Sequence, residues 1–290
     1  MASSERHHKR EGGAHGAPTS PAPSDDPTTD FVGVGASAAR ELRPELRALL
    51  DAHGVLWDFE EWAAGEVAPV CWRSLVPERS ALAIWRALQT VTNEAGAWPL
   101  VLGGPDDEAA HRASLRESLD STDAIVRDGL ALDVDEWLAT EIATDPDLLD
   151  ELDGDWPSAP VAPTTHRLAE APFWRRRRAG NATLLWVESP HAWDVPAILR
   201  FGGWNSCPPA HVHVAMLKRW SDRFGASLVG LSRDRLEVEV KRRPRSRGEA
   251  LALAREHFLY CEELVLTEHE SLPALAASLL ASDVWSFRWD

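Results

Sequence analysis

Residues 236–241 run Leu-Glu-Val-Glu-Val-Lys, apolar and charged in strict turn. A period of two is the mark of a strand with one face in a core and the other in water, so a half-buried antiparallel strand is expected here, stopped by Pro244. Beyond it, Ser246 and Glu249 fit the Ser-x-x-Glu capping box, which satisfies free backbone N–H groups at the start of a helix reaching about Cys261. A second helix over residues 272–280 precedes Val-Trp-Ser-Phe-Arg-Trp-Asp. Trp285, Phe287 and Trp289 then share one side of a terminal strand and can bury a large apolar area.

The earlier chain follows one grammar twice. Residues 70–76 put Val70, Trp72 and Val76 on one side at period two, a strand, and Pro77 opens a helix through about Asn93. Gly96 ends it before a second strand at 98–102. The apolar run 184–187 suits a buried strand, a helix follows over 208–224, Gly225 ends it, and 226–231 is the next strand. The expected fold class is α+β: a central mixed, largely antiparallel sheet with helices mainly on one face, plus an acidic helical insertion. The expected divisions are a disordered leader over 1–36, an N-terminal α/β subdomain over 37–104, the insertion over 105–165 and a C-terminal α+β domain over 166–290.

Charge locates the insertion. The net charge is −16, and residues 101–160 hold 17 acids against 3 arginines, a net of −14. Apolar residues such as Leu130, Leu138, Ile142 and Leu149 recur in this stretch, so it reads as solvated helices over 107–119 and 134–152. Asp145, Asp147, Asp150 and Asp153 do not form a calcium loop, because Asp150 and Pro157 occupy the places that require Gly and Glu. The basic run Phe-Trp-Arg-Arg-Arg-Arg at 173–178 reads as a linker facing the acidic stretch, and nucleic acid is not the expected partner. No apolar run is long enough to span a bilayer, no secretory signal is evident, and three cysteines are too few for a disulfide framework. These features point to a cytoplasmic protein, and 27 arginines against 3 lysines to a GC-rich bacterial source.

The chemistry-bearing residues concentrate at Phe-Gly-Gly-Trp-Asn-Ser-Cys-Pro-Pro-Ala-His-Val-His, residues 201–213. Gly202 and Gly203 allow unusual backbone angles, the prolines suit a first helical turn, and Ser206 or Cys207 is left as the N-cap. This is a corner feeding a helix. On that helix His213, Leu217, Trp220 and Phe224 share an apolar stripe, with His211 on the far side. Cys207 at a helix N-terminus is a candidate nucleophile, with His211 or His191 as base and Asn205 as the orienting or oxyanion group. Gly202, Gly203, Trp204 and Trp193 are candidates for binding. Alternatively, Cys207 and His213 could meet His257 and Cys261 in a tetrahedral zinc site, although no Cys-x-x-Cys knuckle supports it. No cofactor is expected.

Trp-Asp-Val-Pro-Ala at 193–197, Phe-Gly-Gly-Trp-Asn-Ser-Cys-Pro at 201–208, Trp220, Gly225-Ala226, Glu-Ala-Leu-Ala-Leu-Ala-Arg-Glu-His-Phe-Leu-Tyr-Cys at 249–261 and the closing Val-Trp-Ser-Phe-Arg-Trp-Asp come in order. Together they resemble the bacterial domain-of-unknown-function family numbered 4253 over about residues 183–290. The resemblance implies no activity; it marks Gly202, Gly203, Trp204, Asn205 and Cys207 as a shared unit. Where the family pattern places Cys-Pro-Asp after the tyrosine, this chain has Cys261-Glu262-Glu263, which weakens any role for that acid. No catalytic set is complete, and Trp is abundant. The expected function is therefore a non-enzymatic protein-interaction domain, of the immunity or antitoxin kind, with a Cys207 hydrolase or thiol transferase as the alternative.

Overall fold

The structure, a computed structural model, describes residues 44–52, 58–61, 70–90, 92, 96–117, 120–144, 147–168 and 181–289. The leader expected at 1–36 and the arginine run at 173–178 lie outside these residues. Along the chain come α1 (Pro44–Ala52), β1 (Asp58–Glu61), β2 (Val70–Pro77), α2 (Glu78–Gln89), β3 (Trp98–Val101), α3 (Pro105–Glu117), α4 (Thr122–Ala131), α5 (Val134–Thr144) and α6 (Leu148–Glu151). The second half carries β4 (Asn181–Val187), a 3₁₀ turn (Ala192–Asp194), α7 (Val195–Leu199), α8 (Ala210–Phe224), β5 (Ser227–Leu231), β6 (Arg235–Glu239), α9 (Arg247–Tyr260), a π-helical turn (Leu264–His269), α10 (Leu272–Ala281) and β7 (Val284–Arg288).

The strands form one seven-stranded sheet in the order β1-β2-β4-β3-β5-β6-β7. Only the β3–β5 pairing is parallel; the others are antiparallel, so the sheet is mixed and largely antiparallel. Each half of the chain supplies strands to it, with β4 seated between β2 and β3. The boundaries drawn at 104 and 165 therefore do not separate bodies: residues 42–290 form one compact unit.

One face of the sheet carries most of the helices. The alternation in the C-terminal strand turns Trp285, Phe287 and Trp289 toward α8 and α9, where Trp220 stacks on Phe287 with ring centres 5.1 Å apart. Around this pair sit Tyr260 and His257, edge-on to Phe287 at 5.0 and 4.9 Å, in the offset and edge-to-face geometries that aromatic quadrupoles favour. Glu256 of α9 is buried in the same layer. Its carboxylate accepts from the Trp220 indole N–H, from Arg219 at 3.0 Å and from Arg223 at 2.7 Å, so its charge is compensated.

The acidic stretch is helical, as its pattern predicts, but it is a wall of this core and not a detached insertion. Glu108 of α3 is buried and accepts from Thr183 of β4 at 3.0 Å and Arg73 of β2 at 2.9 Å. Gly129 of α4 lies so close to α8 that a Cβ there would sit 2.7 Å from Val214 Cβ. Exposed carboxylates remain on the outer sides of α4 and α5.

The other face holds a larger departure from the expected half-buried strand. Glu237 of β6 is 0 % exposed, because the extended segment 160–168 crosses over it. The carboxylate accepts from the Arg167 and Leu168 backbone N–H groups at 2.7 and 3.2 Å and from Ser286 at 3.2 Å. His166 bridges Glu237 and Glu239, 3.0 Å from each, and Arg86 of α2 also reaches Glu239. A fully paired carboxylate is thus the clasp that fastens a strap across the sheet.

Burial alone would lower the His166 pKa, but its bonds to Glu237 and Glu239 and their charge outweigh burial and raise it to about 9. A histidine raised above its unfolded value of about 6.5 stabilises the fold fully below that value and loses its contribution as pH rises through the folded pKa. Denaturant unfolding should therefore show on the order of 2–3 kcal/mol less stability at pH 10 than at pH 6.5 from this group. His166→Gln should flatten that difference, and an unchanged slope would show that the clasp does not carry it.

Candidate functional site

The 201–213 stretch folds as a corner, with a helix start different from the expected one. α7 ends with Arg200 in the left-handed region at φ 54, and Gly202 and Gly203 follow at φ 106 and 85. The Gly203 N–H donates to the carbonyls of Cys207 and Pro208 at 3.2 and 3.0 Å, and Cys207 N–H donates to Trp204 at 2.8 Å. With the Pro208 carbonyl turned back into this loop, Pro209 stays extended and α8 begins only at Ala210. Neither Ser206 nor Cys207 is the N-cap, and the sulfur gains no thiolate stabilisation from a helix N-terminus.

Cys207 points inward. It is 4 % exposed, and its Sγ lies 3.5 Å from His213 Nε2, while His213 Nδ1 is hydrogen-bonded to the Tyr260 hydroxyl. A neutral imidazole donates through one nitrogen and accepts through the other, so the three groups form a chain of hydrogen bonds with a single direction. Phe201, Tyr260 and Trp289 ring His213 at centroid distances of 5.0, 5.4 and 5.4 Å. Burial holds the His213 pKa down at about 3, outweighing a bond to the Pro208 backbone. Burial likewise pushes the Cys207 thiol well above its ordinary value, with the neighbouring Cys261 adding to the rise. The Tyr260 hydroxyl is raised for the same reason. Sulfur, imidazole and phenol are all neutral, the opposite of an activated nucleophile.

The remaining candidates are dispersed. His191 is exposed and stacks on Trp193 at 4.4 Å, with Lys218 Nζ 5.2 Å from the Trp193 ring centre. His211 is half-buried on the side of α8 that meets α4. Neither is the hydrogen-bond partner of the sulfur; the imidazole that meets Cys207 is His213, read as core or as its fellow zinc ligand. The zinc set also divides. His257 lies among Trp220, Trp285 and Phe287, with its pKa lowered to about 3 by burial. Cys261 Sγ donates to the Arg288 carbonyl at 3.1 Å. Among the described residues no group of three or more His, Cys, Asp or Glu side chains could hold a metal ion.

Trp204 and Asn205, on the same loop, face the other way. With Phe201 they border a cavity of about 430 Å³ that is also lined by Arg200, Arg233 and Arg288. His111 of α3 forms part of its wall. The sequence pattern singled out Trp204 and Asn205 but missed the arginines and His111, which come from the end of α7 (Arg200), α3 (His111), the β5–β6 turn (Arg233) and the end of β7 (Arg288). Only the run of corner residues is contiguous; the rest converge through the sheet order.

This is an α+β domain in which a glycine-rich corner seals a cysteine–histidine–tyrosine chain inside and presents a Trp and an Asn outside. Residues 183–290, which take in nearly all of β4 and everything after it, match the family described as Domain of unknown function (DUF4253). No curated protein and no solved structure matches the chain. No helix among the described residues is long and apolar enough to cross a membrane.

The two corner glycines should behave differently. A Cβ on Gly202 would press on the Pro208 carbonyl and stand 2.6 Å from His213 Nε2, whereas a Cβ on Gly203 meets nothing within 4 Å. Gly203→Ala should cost about 1–3 kcal/mol through backbone strain alone. Gly202→Ala adds overpacking of about 1–3 kcal/mol, and urea midpoints should rank the two in that order. Equal costs would show that the corner does not press on His213.

Proposed function

We propose that the chain is a non-enzymatic binding domain. In this reading the 201–209 corner is scaffold on its inner side and the ligand-contacting surface on its outer side. The observation that carries it is the division of one short loop: Cys207 is turned into the core, bonded to a neutral imidazole, while Trp204 and Asn205 line a cavity. A cavity of this size edged by aromatic and charged side chains has the dimensions and chemistry of a small-molecule site. A thiol enzyme needs the reverse, a sulfur that is ionised and accessible. A half-buried Trp at the rim also suits the anchoring role that aromatics take in recognition.

A chromogenic disulfide added to the native protein tests this reading. The time course of wild type and Cys207→Ser should coincide until denaturant is added, because the Cys207 sulfur becomes reactive only when the corner opens. A fast phase present in wild type and missing in Cys207→Ser would return the protein to the thiol enzymes.

A further inference from the structure

We propose that the cavity beside Trp204 is an anion-binding site that takes a phosphate or carboxylate group carried on a planar ring. This rests on reading the outer side of the corner as the binding surface. The first support is charge. In a chain of net charge −16, this cavity is lined by three arginines and a single carboxylate, Asp234. That carboxylate is already engaged: one oxygen accepts from Ser232 Oγ at 3.0 Å and the other from Arg288 Nε at 3.3 Å.

The guanidinium of Arg200 is held by neutral acceptors. It donates to Thr122 Oγ1 at 3.0 Å, to the Asp120 carbonyl at 2.7 Å and to the Ala197 carbonyl, and its buried Nε has no partner. No carboxylate is hydrogen-bonded to it, although the Asp120 charge lies near enough to act on it, so the guanidinium is fixed in place with part of its charge open to an anion. Arg233 is anchored through its backbone N–H, which donates to Asp107 Oδ1 at 2.9 Å. Its exposed guanidinium makes no ion pair with another described residue.

The second support is shape. Phe201, Trp204 and Trp289 supply an aromatic wall, with Trp204 edge-on to Phe201 at 5.0 Å, so a planar group can lie on one side while its anion meets the arginines. His111 is 3 % exposed and its Nε2 lacks a partner. The third support is strain. Among the described residues three non-glycine positions have positive φ, and two of them, Arg200 and Asn205, line this cavity. Sparsely populated backbone angles gather where side chains must be aimed at a ligand.

Isothermal titration calorimetry of the full chain with phenyl phosphate, benzoate, inorganic phosphate and benzyl alcohol tests the assignment. At least one ring-bearing anion should bind saturably at one site. It should bind more tightly than inorganic phosphate and about tenfold more tightly than benzyl alcohol, and the stronger of phenyl phosphate and benzoate names the source of the anion. Arg233→Ala, at an exposed residue with no packing role, should weaken that binding about tenfold, as expected for loss of a hydrogen bond to a charged group. Trp204→Ala should remove the advantage of the ring. Benzyl alcohol binding as tightly as the anions, an Arg233→Ala variant with wild-type affinity, or no saturable heat from either ring-bearing anion would overturn the assignment. The thiol titration judges the binding-domain reading separately, so failure of one is not failure of the other.

Discussion

The hydrogen-bonded chain from Cys207 through His213 to Tyr260 is the constraint around which this domain is organised. It joins the 201–209 corner and the helix that follows it, α8, to the remote α9, inside a ring of aromatic side chains that the end of the chain helps to close. Buried polar groups are tolerated only when paired, and losing one member leaves its neighbours unpaired in a low-dielectric interior. The corner must therefore hold one backbone path, and the glycine at 202 keeps that path clear of His213. The same geometry decides function: a loop whose cysteine is needed inside can show only its intervening residues to the outside.

A second fastening, on the opposite face, explains how an acidic chain can wrap its own sheet. Glu237 takes backbone N–H groups from the strap at 167 and 168 and shares His166 with Glu239, while Glu108 and Glu256 tie α3, α8 and α9 to the core through arginines. The net negative charge is thus not one undivided solvated surface. Part of it is consumed as structural pairing, part faces water on α4 and α5, and the cavity by the corner is a basic exception.

What the sequence made legible was local. Ser246 caps α9 as expected, its Oγ accepting from Glu249 N–H at 3.2 Å, while the Glu249 carboxylate reaches back one residue further, to Arg245 N–H at 2.8 Å; Gly225 ends α8 in the left-handed region; and Trp285, Phe287 and Trp289 share a buried face. The α+β class and the mixed, largely antiparallel sheet follow from such signals. Long-range coverage was not legible. Alternation at 236–241 correctly gives a strand, but period two cannot say that a remote strap will cover the polar side, so Glu237 reads as solvent-facing when it is buried. The two prolines at 208 and 209 signal a helix start, yet the Pro208 carbonyl bonds back to Gly203 and delays it. For the site, proximity along the chain favoured His211 as the partner of Cys207, whereas helix periodicity placed His213 on the core side. Arg233 and Arg288 carry no sequence signal, because they reach the cavity only through the strand order, and Arg200 adjoins the corner with no pattern to mark it.

The most direct test of the sealed corner is the protonation of His213, followed by nitrogen-15 NMR of the labelled full chain, with its resonance assigned by His213→Gln. The account predicts that the ring stays neutral from pH 7.5 to about pH 5 with two inequivalent nitrogens, as its pKa near 3 requires. A His213 ring that titrates near 6.5 with the protein still folded would mean that water reaches the Cys207 sulfur and its imidazole, and would contradict it.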